Sequence, residues 1–244
     1  MRANLSDEEF FYLYVNDNNW FPLQNHGLID ETISLKKEDY DFPNQITAYL
    51  NLFKNIKLYK KSILDLGCGW GRGTYTISKY FNECNVIGTD INSTYIEYAK
   101  SNFKGCYYFE DDFFKTKLKS HSFDFIVSNC SMHFFYNQDT IFNNLKKTLK
   151  KEGKILITDI WTKESINIFL QKIKQHGFKL VKLEDLSKKT IEAIENDVFE
   201  VFPKFWDKIK GKSIKAFMNI QRERLKFFEN NINRQYKVII ENEF

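Results

Sequence analysis

The sequence predicts an α/β protein with a doubly wound sheet, and three observations carry that expectation. Short apolar runs of strand length alternate with helix-periodic segments along the 244 residues. A glycine-rich turn, DLGCGWGRG over Asp65–Gly73, follows the first run, Ile63, Leu64 and Leu66. The next run, NVIGTD, ends on an acid, Asp90. Strand, glycine turn, helix, strand and acid is the order in which an open sheet builds a nucleoside site at the carboxyl ends of its strands.

The elements follow in order. A strand at Ser62–Leu66 delivers the chain into the turn, where alternate glycines let backbone approach a ligand, and a helix runs from about Gly73 to Phe81. Further strands are expected near Asn85–Asp90, Cys106–Glu110, Phe123–Ser128, Lys154–Asp159, Lys179–Leu183 and Gln235–Ile240. Helices are expected at Thr94–Asn102, Asp139–Lys150 and Lys163–His176. Asn92 or Ser93 can cap the helix at Thr94, and Gly177 closes the one that ends at His176. There is no repeat and no low-complexity linker.

Composition narrows the class. A chain of 244 residues fits one domain with a sizeable core plus an elaboration. No apolar run approaches the ~18 residues of a membrane span, and MRANLSDEEF lacks the basic and apolar regions of a secretory signal. A cytoplasmic location is expected. Cys68, Cys84, Cys106 and Cys130 form no C-x-x-C pair and read as reduced thiols, and no metal site is expected. Of the 36 basic residues 31 are lysine, and the net charge is +4. Lys146, Lys147, Lys150, Lys151 and Lys154 fall at an exposed helix end and the turn after it, where cations suit the helix C-terminus. Phosphate clamps and base readers favour clustered arginine, so a nucleic-acid partner is not expected. Nothing indicates an oligomeric state.

Spacing selects the ligand class. A dinucleotide fingerprint needs G-x-G-x-x-G, but the sixth position is Arg72 counted from Gly67, Thr74 from Gly69 and Thr76 from Gly71. The phosphate-cradling loop also fails, because no Gly-Lys-Ser/Thr follows. An acid-x-Gly-x-Gly loop remains, which suits a ligand with an adenosine end, a ribose and an amino-acid end without phosphates.

Five segments in order, ILDLGCGWGRG, VIGTDIN, YYFEDDFF, SFDFIVSNCSMHFF and LKKTLKKEGKILITDI, resemble the class I S-adenosylmethionine-dependent methyltransferases, small-molecule type, over roughly residues 25–185. The resemblance implies a Rossmann-like seven-stranded sheet with an antiparallel last strand, a position that QYKVIIENE matches. It also implies a helical N-terminal cap over 1–50 and a helical substrate lid inserted before the last strand over 186–234. The core would then span 51–185, with 235–244 as the last strand. The implied cofactor is S-adenosyl-L-methionine, leaving as S-adenosyl-L-homocysteine.

Chemistry then places the ligand roles. Gly67, Cys68, Gly69 and Gly71 offer main-chain groups, Asp65 suits an ammonium, Asp90 accepts ribose hydroxyls and Ile91 lies against an adenine face. Counting back from Ser122-Phe123-Asp124 puts Asp112 on the family's adenine-reading acid with the Phe113 N–H beside it, although a slip of one would exchange Asp112 for Asp111. Asn129, ending the fourth strand, faces the same crevice. His133 is the candidate general base and Asp159 a second catalytic candidate that could orient or deprotonate an acceptor. Trp161 is expected as a wall of the acceptor site, His26 belongs to a stretch that resembles the family's cap, and Trp20 and Trp206 stand in the aromatic-rich additions. A small-molecule acceptor is the leading reading. An RNA or protein acceptor, and cofactor binding without turnover, are the alternatives; the Asn-Pro-Pro-Tyr-like motif of many amino-group methyltransferases is absent after the fourth strand, where SNCSMHFF stands.

Overall fold

A computed structural model describes residues 25–201, 203–204, 222–228 and 232–243. The strands are β1 (Ser62–Leu66), β2 (Asn85–Asp90), β3 (Tyr107–Glu110), β4 (Phe123–Asn129), β5 (Leu149–Thr162), β6 (Phe178–Asp185) and β7 (Asn233–Asn242). They form one sheet in the order β3-β2-β1-β4-β5-β7-β6. β1 to β5 pair in parallel, whereas β7 runs antiparallel to both β5 and β6. The expected seven-stranded sheet with its antiparallel last strand is therefore present. Strand order reverses between β1 and β4, so the carboxyl ends of those two strands open the crevice where such sheets take ligands.

α-Helices fill the layers, among them α1 (Pro43–Leu52), α2 (Arg72–Tyr80), α3 (Ser93–Asn102), α4 (Gln138–Thr148), α5 (Lys163–Gln175) and α6 (Ser187–Asn196), and residues 222–228 are also helical. Proline opens α1 and costs no internal hydrogen bond there. The Asn92 side chain caps α3 by accepting from Thr94 and Tyr95 N–H. A capping box between Thr162 and Ser165 starts α5 directly at the end of β5.

Alternation along the central strands separates two apolar layers. Val127 and Leu156 pack with Ile46, Tyr49 and Ile77 from α1 and α2. Ile126, Ile155 and Ile157 face the other way, onto Phe142 of α4 and Phe169 of α5.

One expectation needs correction. α4 stops at Thr148 instead of Lys150, and β5 begins at Leu149, five residues earlier than the apolar run suggested. Leu149 is fully buried and pairs with Phe123, which draws the chain into extended conformation before the lysines. The lysine stretch is accordingly more than a solvated helix end. Lys150 Nζ reaches Asp124 at 2.7 Å, Lys154 pairs with Glu241 at 3.0 Å, and Lys146 Nζ donates to the His176 carbonyl at 3.0 Å.

Two buried charged groups join distant segments. Asp197, where α6 passes into a π turn (Asp197–Val201), accepts from Asn44 Nδ2 at 2.7 Å on one oxygen and from the Gln45 side chain on the other. Burial raises its carboxyl to about 7. Lys237 on β7 donates to the carbonyl of Asn51 at the end of α1, and burial lowers its ammonium to about 8. Among the described residues no helix is long and apolar enough to cross a membrane.

Candidate active site

The turn after β1 is tied to its neighbour first. Gly67 and Cys68 N–H both donate to the Thr89 carbonyl, at 2.8 and 2.9 Å. Gly67 adopts φ +73°, and a Cβ there would lie 2.5 Å from Cβ of Ser131. Ser131 Oγ donates to the Leu66 carbonyl at 2.7 Å. The missing side chain at Gly67 thus admits the loop after β4, and that at Gly71 admits Ala99, 2.5 Å from a built Cβ. These two glycines are required by the protein's own packing, an origin that the bare G-x-G spacing does not reveal.

Gly69 serves the acid. At φ +52° its N–H donates to Asp90 Oδ2 at 2.9 Å, while Asn92 N–H donates to Asp90 Oδ1 at 3.0 Å. The half-buried Asp90 stands beside Ile91, which is 67% exposed. An exposed isoleucine next to a fixed carboxylate suits a nucleoside.

Orphaned polar atoms mark the floor of the crevice. Asp65 is fully buried; Thr74 Oγ1 donates to its Oδ2 at 2.7 Å, while Oδ1 has no partner. Burial raises its carboxyl to about 7, with the Thr74 bond opposing and the Asp90 charge adding. Asn129, two residues beyond the β1–β4 partner of Asp65, lies on the same face, and both of its amide atoms are buried without partners. Buried polar groups in proteins are ordinarily satisfied, so orphans gathered at a switch point fit the charged amino-acid end of a ligand. Asp112 Oδ1 caps the short turn at Phe113–Lys115 through Phe114 N–H at 3.1 Å, and Phe113 is buried. The neighbouring Asp111 donates its N–H to the Asp90 carbonyl at 3.0 Å and keeps Oδ2 buried and unpartnered.

His133 and Asp159 come together. His133 sits in a short turn after β4, and its ring Nδ1 lies 2.7 Å from Oδ1 of the fully buried Asp159. Its backbone N–H donates to the other oxygen at 3.1 Å. The His133 side chain is 38% exposed, so the ring is anchored at one nitrogen and accessible elsewhere. Asp159 spends its oxygens on His133 and the Ile160 N–H.

The expected acceptor residues divide. Trp161 is buried against Phe169, ring centroids 5.1 Å apart, and lines one cavity with His133. His26 packs edge-on against Phe228 at 5.5 Å, with Nδ1 unpartnered. Burial pulls its imidazole well below the usual value, and the charges of Arg224 and His133 add to this. Trp20 and Trp206 lie outside the described residues. Among the described residues no group of three His, Cys, Asp or Glu could hold a metal. Sequence reasoning missed Thr74, whose hydroxyl fixes Asp65, and Ser131; a hydroxyl one turn into the helix after an acid-x-Gly-x-Gly loop is a usable signal for the first.

A family model described as a methyltransferase domain matches residues 58–226. The chain belongs to this family. The protein is therefore a methyltransferase, and its cofactor is S-adenosyl-L-methionine, in keeping with the resemblance. Phosphoethanolamine N-methyltransferase of Plasmodium falciparum is 25% identical over 220 residues, which cover 84% of this chain and 82% of that protein. Among solved structures, Haemonchus contortus phosphoethanolamine N-methyltransferase 2, in complex with phosphomonomethylethanolamine and S-adenosylhomocysteine, matches with a TM-score of 0.68 at 18% identity. That match covers 84% of this chain and 56% of the other. The [4+2]-cyclase SpnF matches with a TM-score of 0.71 at 13% identity, over 96% and 95% of the two chains. Likeness at such identities shows the fold alone.

Proposed function

We propose that this methyltransferase acts on a small-molecule acceptor, with His133 as general base and Asp159 as the group that holds it. The His133–Asp159 pair carries the reading. The Plasmodium relative, named for a small metabolite, supports the acceptor class.

The crevice residues fit the cofactor. Asp65 would take its ammonium, Asp90 its ribose hydroxyls, Ile91 one face of its adenine, and Asp112 with the Phe113 N–H the adenine edge. Asn129 and the main chain of Gly67, Cys68, Gly69 and Gly71 would line the amino-acid end. When bound, the cofactor supplies an electrophilic methyl carbon on a sulfonium. The protein's part is to place and deprotonate the acceptor. Asp159 accepts Nδ1–H and so leaves Nε2 of a neutral His133 as the proton acceptor, and the same carboxylate stabilises the imidazolium that forms. His26, held neutral by burial, and Trp161 would flank the acceptor. A cap over 1–50 and a lid over 186–234 around a core of 51–185 and 235–244 is the matching domain plan, with the cytoplasm as the expected location.

The test is release of S-adenosyl-L-homocysteine from S-adenosyl-L-methionine in the presence of a metabolite extract. Release by the wild type and at least tenfold less by His133→Ala supports the reading. Binding of the cofactor without release, or equal rates, contradicts it. The solved cyclase on this fold makes turnover the needed readout.

A further inference from the structure

A cavity of about 170 Å3 lies between the loop after β4, α4 and α5, and its walls include His133, Gln138, Ile141, Ile160, Trp161 and Phe169. It stands on the α4–α5 side of β5, whereas the orphaned Asp65 and Asn129 belong to the glycine-turn crevice. His133 lines the cavity, and its Nδ1 reaches Asp159 on β5. An apolar cavity of about 150 Å3 holds one benzene. Gln138 contributes to one wall, and its Oε1 is buried without a hydrogen-bond partner. A carbonyl in that state costs free energy until a donor meets it.

We propose that this cavity is a subsite for the apolar group of the methyl acceptor, of the size of one six-membered ring or a chain of about six carbons, with Gln138 Oε1 accepting a hydrogen bond from an O–H or N–H on that group. The proposal rests on the methyltransferase reading and narrows its acceptor to a compact, mainly apolar molecule bearing a donor. Trp161 and Phe169 supply the ring walls, and their mutual contact at 5.1 Å fixes the spacing. His133, at the edge of the same space, sets the acceptor's reacting atom next to the base. Gln138 becomes a specificity-determining residue for which the sequence offers no signal, because a glutamine at the start of a helix reads as a solvated first-turn residue.

The experiment uses the full chain with 13C-labelled isoleucine and methionine methyls, titrated with benzene and with phenol. Saturable shifts are expected at Met132, Ile141 and Ile160, with phenol binding at least threefold more tightly than benzene. Gln138→Met should bring phenol to the affinity of benzene, and Ile141→Phe should abolish both. Benzene should also slow S-adenosyl-L-homocysteine release with a metabolite extract, without changing calorimetric affinity for S-adenosyl-L-homocysteine. Absent shifts at those methyls, equal affinities for the two probes in the wild type, or bound benzene that leaves release unchanged would overturn the subsite. Calorimetry on the same sample separates the two claims: cofactor heat without phenol shifts refutes the subsite alone, and phenol shifts without cofactor heat refute the enzyme reading.

Discussion

His133 places two hydrogen bonds on one carboxylate, Nδ1 to Asp159 Oδ1 at 2.7 Å and backbone N–H to Oδ2 at 3.1 Å. Ring and main chain are thus locked to the same buried group, so the other ring nitrogen has a defined direction. The pairing arises from the β4–β5 register, in which Asn129 lies opposite Thr158 and delivers the loop after β4 onto Asp159.

Removing the base should expose its role. His133→Ala is expected to lower kcat by about a hundredfold or more with cofactor affinity unchanged, and Asp159→Asn by about tenfold or more. The deficit of His133→Ala should shrink at high pH, where hydroxide substitutes for the imidazole. A loss that is the same at every pH would assign His133 to packing.

Asp90 is held by the Gly69 and Asn92 N–H groups. Asp90→Ala should weaken S-adenosyl-L-homocysteine binding by roughly 1–3 kcal/mol. Calorimetry returning an unchanged affinity would mean that the ribose is held elsewhere.

Asp65 couples binding to pH. Burial raises its carboxyl to about 7, so between about pH 4 and 7 the folded protein without cofactor holds a proton that the unfolded chain releases. Its contribution to stability is fullest at low pH and is lost as pH rises through about 7. An ammonium beside it favours the ionised form, so cofactor binding should release a proton near pH 6 and strengthen toward pH 8. Calorimetry in two buffers of different ionisation enthalpy measures the proton. Asp65→Asn should remove that part of the pH dependence; an identical dependence in the variant would contradict the assignment.

Gly69→Val sets a β-branched side chain at φ +52°, which such residues rarely adopt. The variant should keep its circular dichroism and lose cofactor heat, because the N–H that fixes Asp90 is displaced. Retained binding would refute the role of the turn.

Much of this was legible in the residue order. The strands declare themselves through apolar runs, and the turn and Asp90 through glycine spacing and position. The start of β5 was not, because Lys150-Lys151-Glu152-Gly153 reads as a turn by composition while burial of Leu149 and the Lys150–Asp124 pair draw it into the sheet. His133 and Asp159 could be nominated singly, but their contact depends on strand register across separate segments. Gln138 was hidden, since a polar residue in a first helical turn looks the same whether it meets water or a cavity.

The central claim is methyl transfer to a small molecule. The most direct measurement incubates the protein with methyl-labelled S-adenosyl-L-methionine and a cell extract, then separates products by size. Label in the low-molecular-mass fraction, dependent on His133, is the predicted result. Label confined to protein or RNA, or no transfer by folded protein that binds the cofactor, would contradict it.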